Sequence, residues 1–157
     1  MENPNIEFHQ PADIGPSYWG PADRYTFLVA GAQNNRAYFI MEGIIPSGGG
    51  PPLHIHHREQ ESYYPLEGTL EITLDEKKVN ATTGDFVQIP RGLVHRFQNT
   101  GSATVRPPFF FSPAGMEKYF EEALEPVQDC SAALAPVTGA VIARLTRTGP
   151  KHGLELV

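Results

Sequence analysis

Three histidines and a glutamate between positions 48 and 99 are spaced so that they can act together only if the chain folds four points onto one interior spot. His54 and His56 alternate in Gly48-Gly49-Gly50-Pro51-Pro52-Leu53-His54-Ile55-His56, Glu61 follows a short polar insert, and His95 ends Pro90-Arg91-Gly92-Leu93-Val94-His95. On a β-strand successive side chains point to opposite faces, so His54 and His56 share a face while Ile55 packs the other way. Glu61 has the wrong parity to continue that face. The stretch His57-Arg58-Glu59-Gln60 must therefore turn or bulge before Glu61 faces inward, and Gly68 supplies the next sharp turn.

Imidazole nitrogens and a carboxylate suit Fe, Mn, Co, Ni, Cu and Zn alike, so the expected cofactor is one divalent transition metal ion of open identity. Its ligands are His54, His56, Glu61 and His95. Four protein ligands leave coordination positions open on a five- or six-coordinate ion, as catalytic metals require. A closed structural site commonly uses thiolates, which a chain with one cysteine cannot supply. Glu61 can also exchange protons, which makes it the candidate general base. By parity Tyr63 and Pro65 share the face of Glu61, and Phe97 and Asn99 share the face of His95. Tyr63, Pro65 and Phe97 are accordingly the candidate substrate-binding residues of an apolar pocket, and Asn99 a turn or hydrogen-bonding residue. His57 should face solvent, and His9 and His152 should serve structural or surface roles. Cys130 has no disulfide partner and nothing nearby to activate it.

The 157 residues fit one domain with a substantial core. A net charge of −6 with no basic run makes nucleic acid and anionic membranes poor partners. Met1-Glu2-Asn3-Pro4-Asn5 has neither the basic nor the apolar region of a signal peptide, and no apolar stretch is long enough to span a bilayer, so the expected location is cytoplasmic. Fifteen glycines and fifteen prolines punctuate many short strands. Segments 24–29, 37–45, 69–74, 86–89, 95–98 and 105–111 read as strands, with a turn at 31–35 and a charged turn at 75–78. Regularly spaced short strands imply a sandwich or barrel. Ser112-Pro113 reads as the cap and first turn of a helix carrying Met116, Tyr119, Phe120 and Ala123 or Leu124. A second helix over 138–148 groups Val141, Ile142 and Leu145 and stops at Gly149-Pro150. The predicted organisation is an N-terminal arm over 1–23, a barrel over 24–112 and a helical segment over 113–157 that packs on the barrel.

The two blocks, G-x5-H-x-H-x4-E-x6-G from Gly48 to Gly68 and G-x5-P-x-G-x2-H-x3-N from Gly84 to Asn99, resemble the two motifs of the cupin superfamily. Within it the chain is similar to small single-domain quercetin 2,3-dioxygenase-like cupins, from 51–68 through Ser112-Pro113-Ala114-Gly115 to the His152-Gly153-Leu154-Glu155 ending. The resemblance implies an all-β double-stranded β-helix, or jelly-roll barrel, with one or two C-terminal helices. It also implies a metal on His54, His56, Glu61 and His95, and ring-opening dioxygenation of a flavonol with Glu61 as base. Pro65 departs from the family pattern and, lacking a backbone donor, should sit at an edge or bulge.

Three readings follow. The leading one is a metal-dependent dioxygenase acting on a hydroxylated, flavonol-like aromatic, with dioxygen as co-substrate. The second is a non-redox isomerase or lyase that uses the metal as a Lewis acid. The third is a non-catalytic cupin that binds a small molecule. A homodimer is expected, as related small cupins often pair through edge strands, and Tyr18 and Trp19 of the arm are candidates to cross onto the neighbour.

Overall fold

The computed structural model describes residues 7–134 and 136–157. The start of the expected arm, 1–6, lies outside the described residues, and with it the segment read for a leader. In chain order the strands are β1 (Ser17–Gly20), β2 (Asp23–Val29), β3 (Phe39–Ile44), β4 (His54–His56), β5 (Gln60–Tyr63), β6 (Thr69–Leu74), β7 (Lys77–Thr82), β8 (Val87–Ile89), β9 (His95–Gln98) and β10 (Pro108–Ser112). Helix α1 (Met116–Ala123), the short β11 (Glu125–Pro126), helix α2 (Gly139–Thr148) and β12 (Leu154–Leu156) complete the chain.

Two antiparallel sheets form the jelly roll. One runs β11-β1-β2-β3-β10-β5-β8 and the other β12-β4-β9-β6-β7. Alternation builds the space between them: β3 buries Phe39 and Met41, β6 buries Leu70 and Ile72, and β10 buries Phe109 and Phe111. Aromatic edges lock the two faces together, with Phe97 of β9 at 4.9 Å from Phe109 of β10 and 5.6 Å from Tyr63 of β5. Gly68 takes a φ of 83° between β5 and β6, and a Cβ there would lie 2.9 Å from Val105, so glycine is required on both counts.

Several elements differ from the sequence reading, each for a local reason. Ser17–Gly20, expected to be arm, is a strand paired with both β2 and β11, and Tyr18 packs on its own chain's Phe27 at 4.9 Å. The charged turn is only Asp75-Glu76: Asp75 accepts a φ of 50°, closing a two-residue hairpin that lets Lys77 begin β7 opposite Leu74. Ser112 ends β10 and donates its hydroxyl to the Ala37 carbonyl, so it does not cap α1. Gly115 is the cap residue, and Glu117 reaches back so that Oε2 accepts from the Gly115 N–H at 2.7 Å and Oε1 from the Gly31 N–H at 3.1 Å. The same carboxylate thus ties the helix start to the loop after β2. Glu117→Ala is expected to cost about 2 kcal/mol by leaving one buried and one half-buried donor unpaired. An unchanged urea midpoint would remove that role.

The expected second helix is present as α2, with the Thr138 hydroxyl accepting from the Val141 N–H at 3.3 Å. Phe120 of α1 lies 5.5 Å from Tyr25 of β2 and 6.2 Å from Phe39 of β3, and Met116, Tyr119, Phe120 and Leu145 are buried. Among the described residues no helix is long and apolar enough to cross a membrane.

Candidate metal centre

The four residues singled out in the sequence converge. One ligand-type atom from each of His54, His56, Glu61 and His95 lies within 4.8 Å of the others, and all four side chains are buried. The parity problem of Glu61 is resolved by a change of sheet: residues 57–59 carry the chain from β4 in the five-stranded sheet to β5 in the seven-stranded one. Three histidines therefore approach from one sheet, with His54 directly opposite His95, and the carboxylate approaches from the facing sheet.

Hydrogen bonds fix which imidazole nitrogen faces the centre. His54 Nδ1 lies 2.9 Å from the Pro52 carbonyl and His95 Nδ1 2.9 Å from the Leu93 carbonyl, so each Nδ1 donates backward and leaves Nε2 facing inward. His95 Nε2 is 2.8 Å and His56 Nε2 3.1 Å from Glu61 Oε2. Burial, reinforced by the neighbouring imidazoles of His56 and His95, pushes His54 down to about 3. At Glu61 burial acts upward, but the hydrogen bonds and charges of His56 and His95 outweigh it and hold the carboxyl well below the usual range. His95 shows the mirror effect: burial acts downward, yet the Glu61 bond raises it. A buried anion facing three imidazoles, two with their outer nitrogens already tied, is a donor set that fits a divalent transition cation.

The centre opens onto a cavity of about 60 Å³. His54, His56 and Glu61 line it together with Tyr25, Phe97, Phe111 and Phe120. Of the three substrate-wall candidates, Phe97 lines this cavity. Tyr63 does not: it is fully buried between Phe97 and Phe109, and its hydroxyl has no hydrogen-bond partner among the described residues. Pro65 also lies away from it, buried just past β5, with its carbonyl accepting from the Gly84 N–H at 3.0 Å. Asn99 serves the loops, with Nδ2 donating to the Ile45 and Ala103 carbonyls at 2.9 and 2.7 Å. His57 is exposed against Glu155, His152 pairs with Glu122, and Cys130 is exposed. The wall residues absent from the sequence reading come from β2, β3, β10 and β12 and from the two helices. Tyr25 was detectable by strand parity, whereas Met116, Phe120 and Leu145 read only as a packing stripe.

A two-sheet jelly roll with a His-x-His pair, a glutamate and a distant histidine turned inward defines the cupin class. Residues 41–107 match the Cupin_2 family, the cupin domain, and that match supports the cupin superfamily for this chain. An uncharacterised protein of Methanocaldococcus jannaschii is 36% identical over 67 residues, 43% of this chain and 54% of that protein. A quercetin 2,3-dioxygenase of Bacillus subtilis is 31% identical over 86 residues, 50% of this chain but 26% of the relative, so the chain spans about half or less of these proteins. Among solved structures, a predicted oxalate decarboxylase of Thermotoga maritima superposes with a TM-score of 0.61 at 23% identity, covering 68% of this chain and 99% of that one, a likeness of fold.

Proposed function

We propose that the chain is a metal-dependent cupin enzyme whose His54, His56, Glu61 and His95 hold one divalent transition ion, and that its reaction is dioxygenation of a hydroxylated aromatic molecule. The observation that carries this reading is the shared cavity: three of the four donors line the same space as Tyr25, Phe97, Phe111 and Phe120. An aromatic wall against a buried ligand set suits a flat, apolar substrate that brings a hydroxyl group to the ion. The similarity to a quercetin 2,3-dioxygenase over half of the chain supports the same class.

A bound ion of this kind supplies Lewis acidity and, for the redox-active metals, a route to dioxygen. The chain supplies the rest. The helical cover keeps water out, Phe97 and Phe111 flank the ring, and Glu61 accepts the proton of the substrate hydroxyl. Both oxygen atoms enter the product, so no external reductant is required.

The test is oxygen uptake by protein loaded separately with Fe, Mn, Co and Ni and offered flavonols and single-ring catechols. Uptake with at least one pair, lost in Glu61→Gln while ligand binding persists, is the expected result. No uptake with any combination would remove the reading. The modest cavity favours compact substrates and supports a second reading, a non-redox isomerase or lyase, which predicts turnover without oxygen and retained activity with Zn.

A further inference from the structure

The cavity has a second polar feature that the ligand set does not use. Asp23 and Tyr25 sit two residues apart at the start of β2, so both point into the barrel, at 0% and 3% exposure. The Tyr25 hydroxyl donates to Asp23 Oδ2 at 2.7 Å, and Asp23 Oδ1 has no partner among the described residues. The backbone makes room for the pair. A Cβ on Gly20, which faces Asp23 across the β1–β2 ladder, would come within 2.0 Å of Asp23 Oδ1 and 2.5 Å of the Tyr25 ring. A buried carboxyl with an unpaired oxygen is costly, and an apolar residue at the same place would pack without that cost.

Tyr25 lines the cavity alongside His54, His56 and Glu61. Outside the ligand set, only two of the lining residues carry a polar side-chain atom, Tyr25 and Tyr119. The Tyr119 hydroxyl is directed at the Leu145 carbonyl at 3.4 Å, and the other lining residues are proline, leucine, methionine and phenylalanine. We propose that Tyr25, oriented by Asp23, is a second polar anchor of the cavity and selects a compact aromatic that presents one hydroxyl to it and another to the His54, His56, Glu61 and His95 cluster. The proposal rests on the small-aromatic reading of the site and names its specificity residue.

The direction of the hydrogen bonds sets the chemistry of the ligand. With the Asp23 proton on Oδ1 and the Tyr25 hydroxyl donating to Oδ2, the Tyr25 oxygen offers lone pairs only. The group it recognises must therefore be a donor, a hydroxyl and not a ketone or an ether. In carbon surroundings a ligand that lacks the donor gains nothing at that wall, whereas one that carries it replaces a lost water bond. Burial, opposed by the Tyr25 bond, pushes the Asp23 carboxyl up to about 8, so the pair also holds a proton that exchanges near neutral pH.

The test compares dissociation constants of catechol and phenol, by titration calorimetry, for the metal-loaded full chain and three variants. Wild type is expected to favour catechol, and Tyr25→Phe to lose about tenfold of that preference, the scale of one hydrogen bond. Asp23→Asn, whose amide oxygen still accepts from Tyr25, should keep the preference; its loss there would mean that the charge of Asp23, and not the Tyr25 hydroxyl, selects the ligand, and would overturn the proposal. Gly20→Ala, which displaces the carboxyl from its seat, should lose it as Tyr25→Phe does. An unchanged preference in Tyr25→Phe would place the second hydroxyl on the ion and overturn the proposal while leaving the small-aromatic reading intact. Failure of wild type to bind either probe would overturn both.

Discussion

A His95→Ala variant is expected to emerge from purification with less than about a tenth of the transition metal carried by wild type, since even substitutions in the outer shell lower metal affinity by about 10- to 100-fold. His95 is the most deeply buried of the three imidazoles. It is 1% exposed, its ring lies 4.3 Å from that of His54 and 5.4 Å from that of His56, and its Nε2 is the nearer of the two imidazole partners of Glu61. Removing it opens a hole in the ligand set and leaves a buried carboxylate with one partner, which also costs about 3 kcal/mol in the metal-free protein. His57→Ala is the matched control. That side chain is half exposed, its Glu155 partner is more so, and such a pair contributes on the order of 0–1 kcal/mol. Metal content by mass spectrometry should fall in the first variant and hold in the second. Equal content in both would mean that the cluster is not the metal centre.

That contrast shows what the spacing of residues can and cannot convey. His54 and His56 were readable as a pair because strand parity needs only two residues and one rule. His57 was readable as solvent-facing by the same rule. The position of Glu61 required a turn or bulge, but that the chain changes sheet there depends on partners far away in sequence, β10 and β8. Parity also failed to place Tyr63, since inward means only toward the interior. The barrel interior contains both a packed aromatic core and a cavity, and Tyr63 fell in the core. β7 is not legible in the sequence because Lys77-Lys78-Val79-Asn80-Ala81-Thr82 buries only Ala81 and owes its pairing to β6. β12 likewise is three residues whose strand character comes from β4, which it covers beside the histidines. Asp23 is hidden in the sequence for a different reason. A charged residue at a strand start reads as turn, although its parity with Tyr25 and Phe27 already placed it inside.

The cost of burying Asp23 has its own measurable signature. Its carboxyl moves from 3.8 to about 8, chiefly through burial. A carboxyl raised in the folded state binds its proton more tightly there than in the unfolded chain, so stability falls as pH rises from about 4 to about 8 and levels off above. At 1.36 kcal/mol per unit of pKa the full span is on the order of 5 kcal/mol. Other groups move stability too. The lowered Glu61 and His54 weaken the fold as pH falls, while the raised His95 acts in the same direction as Asp23. A single stability curve cannot separate these, but the difference between wild type and Asp23→Asn can, because the variant keeps an acceptor for Tyr25 and removes only the titration. Urea unfolding of the metal-free proteins at pH 4, 7 and 9 should show near-equal stability at pH 4 and a widening advantage for the variant, several kcal/mol by pH 9. Parallel curves would mean that Asp23 is not held protonated. A widening gap would show that an isosteric amide is the more stable choice at this site, and that the carboxyl is tolerated at a cost which packing alone gives no reason to bear. Functional sites are where such local violations concentrate.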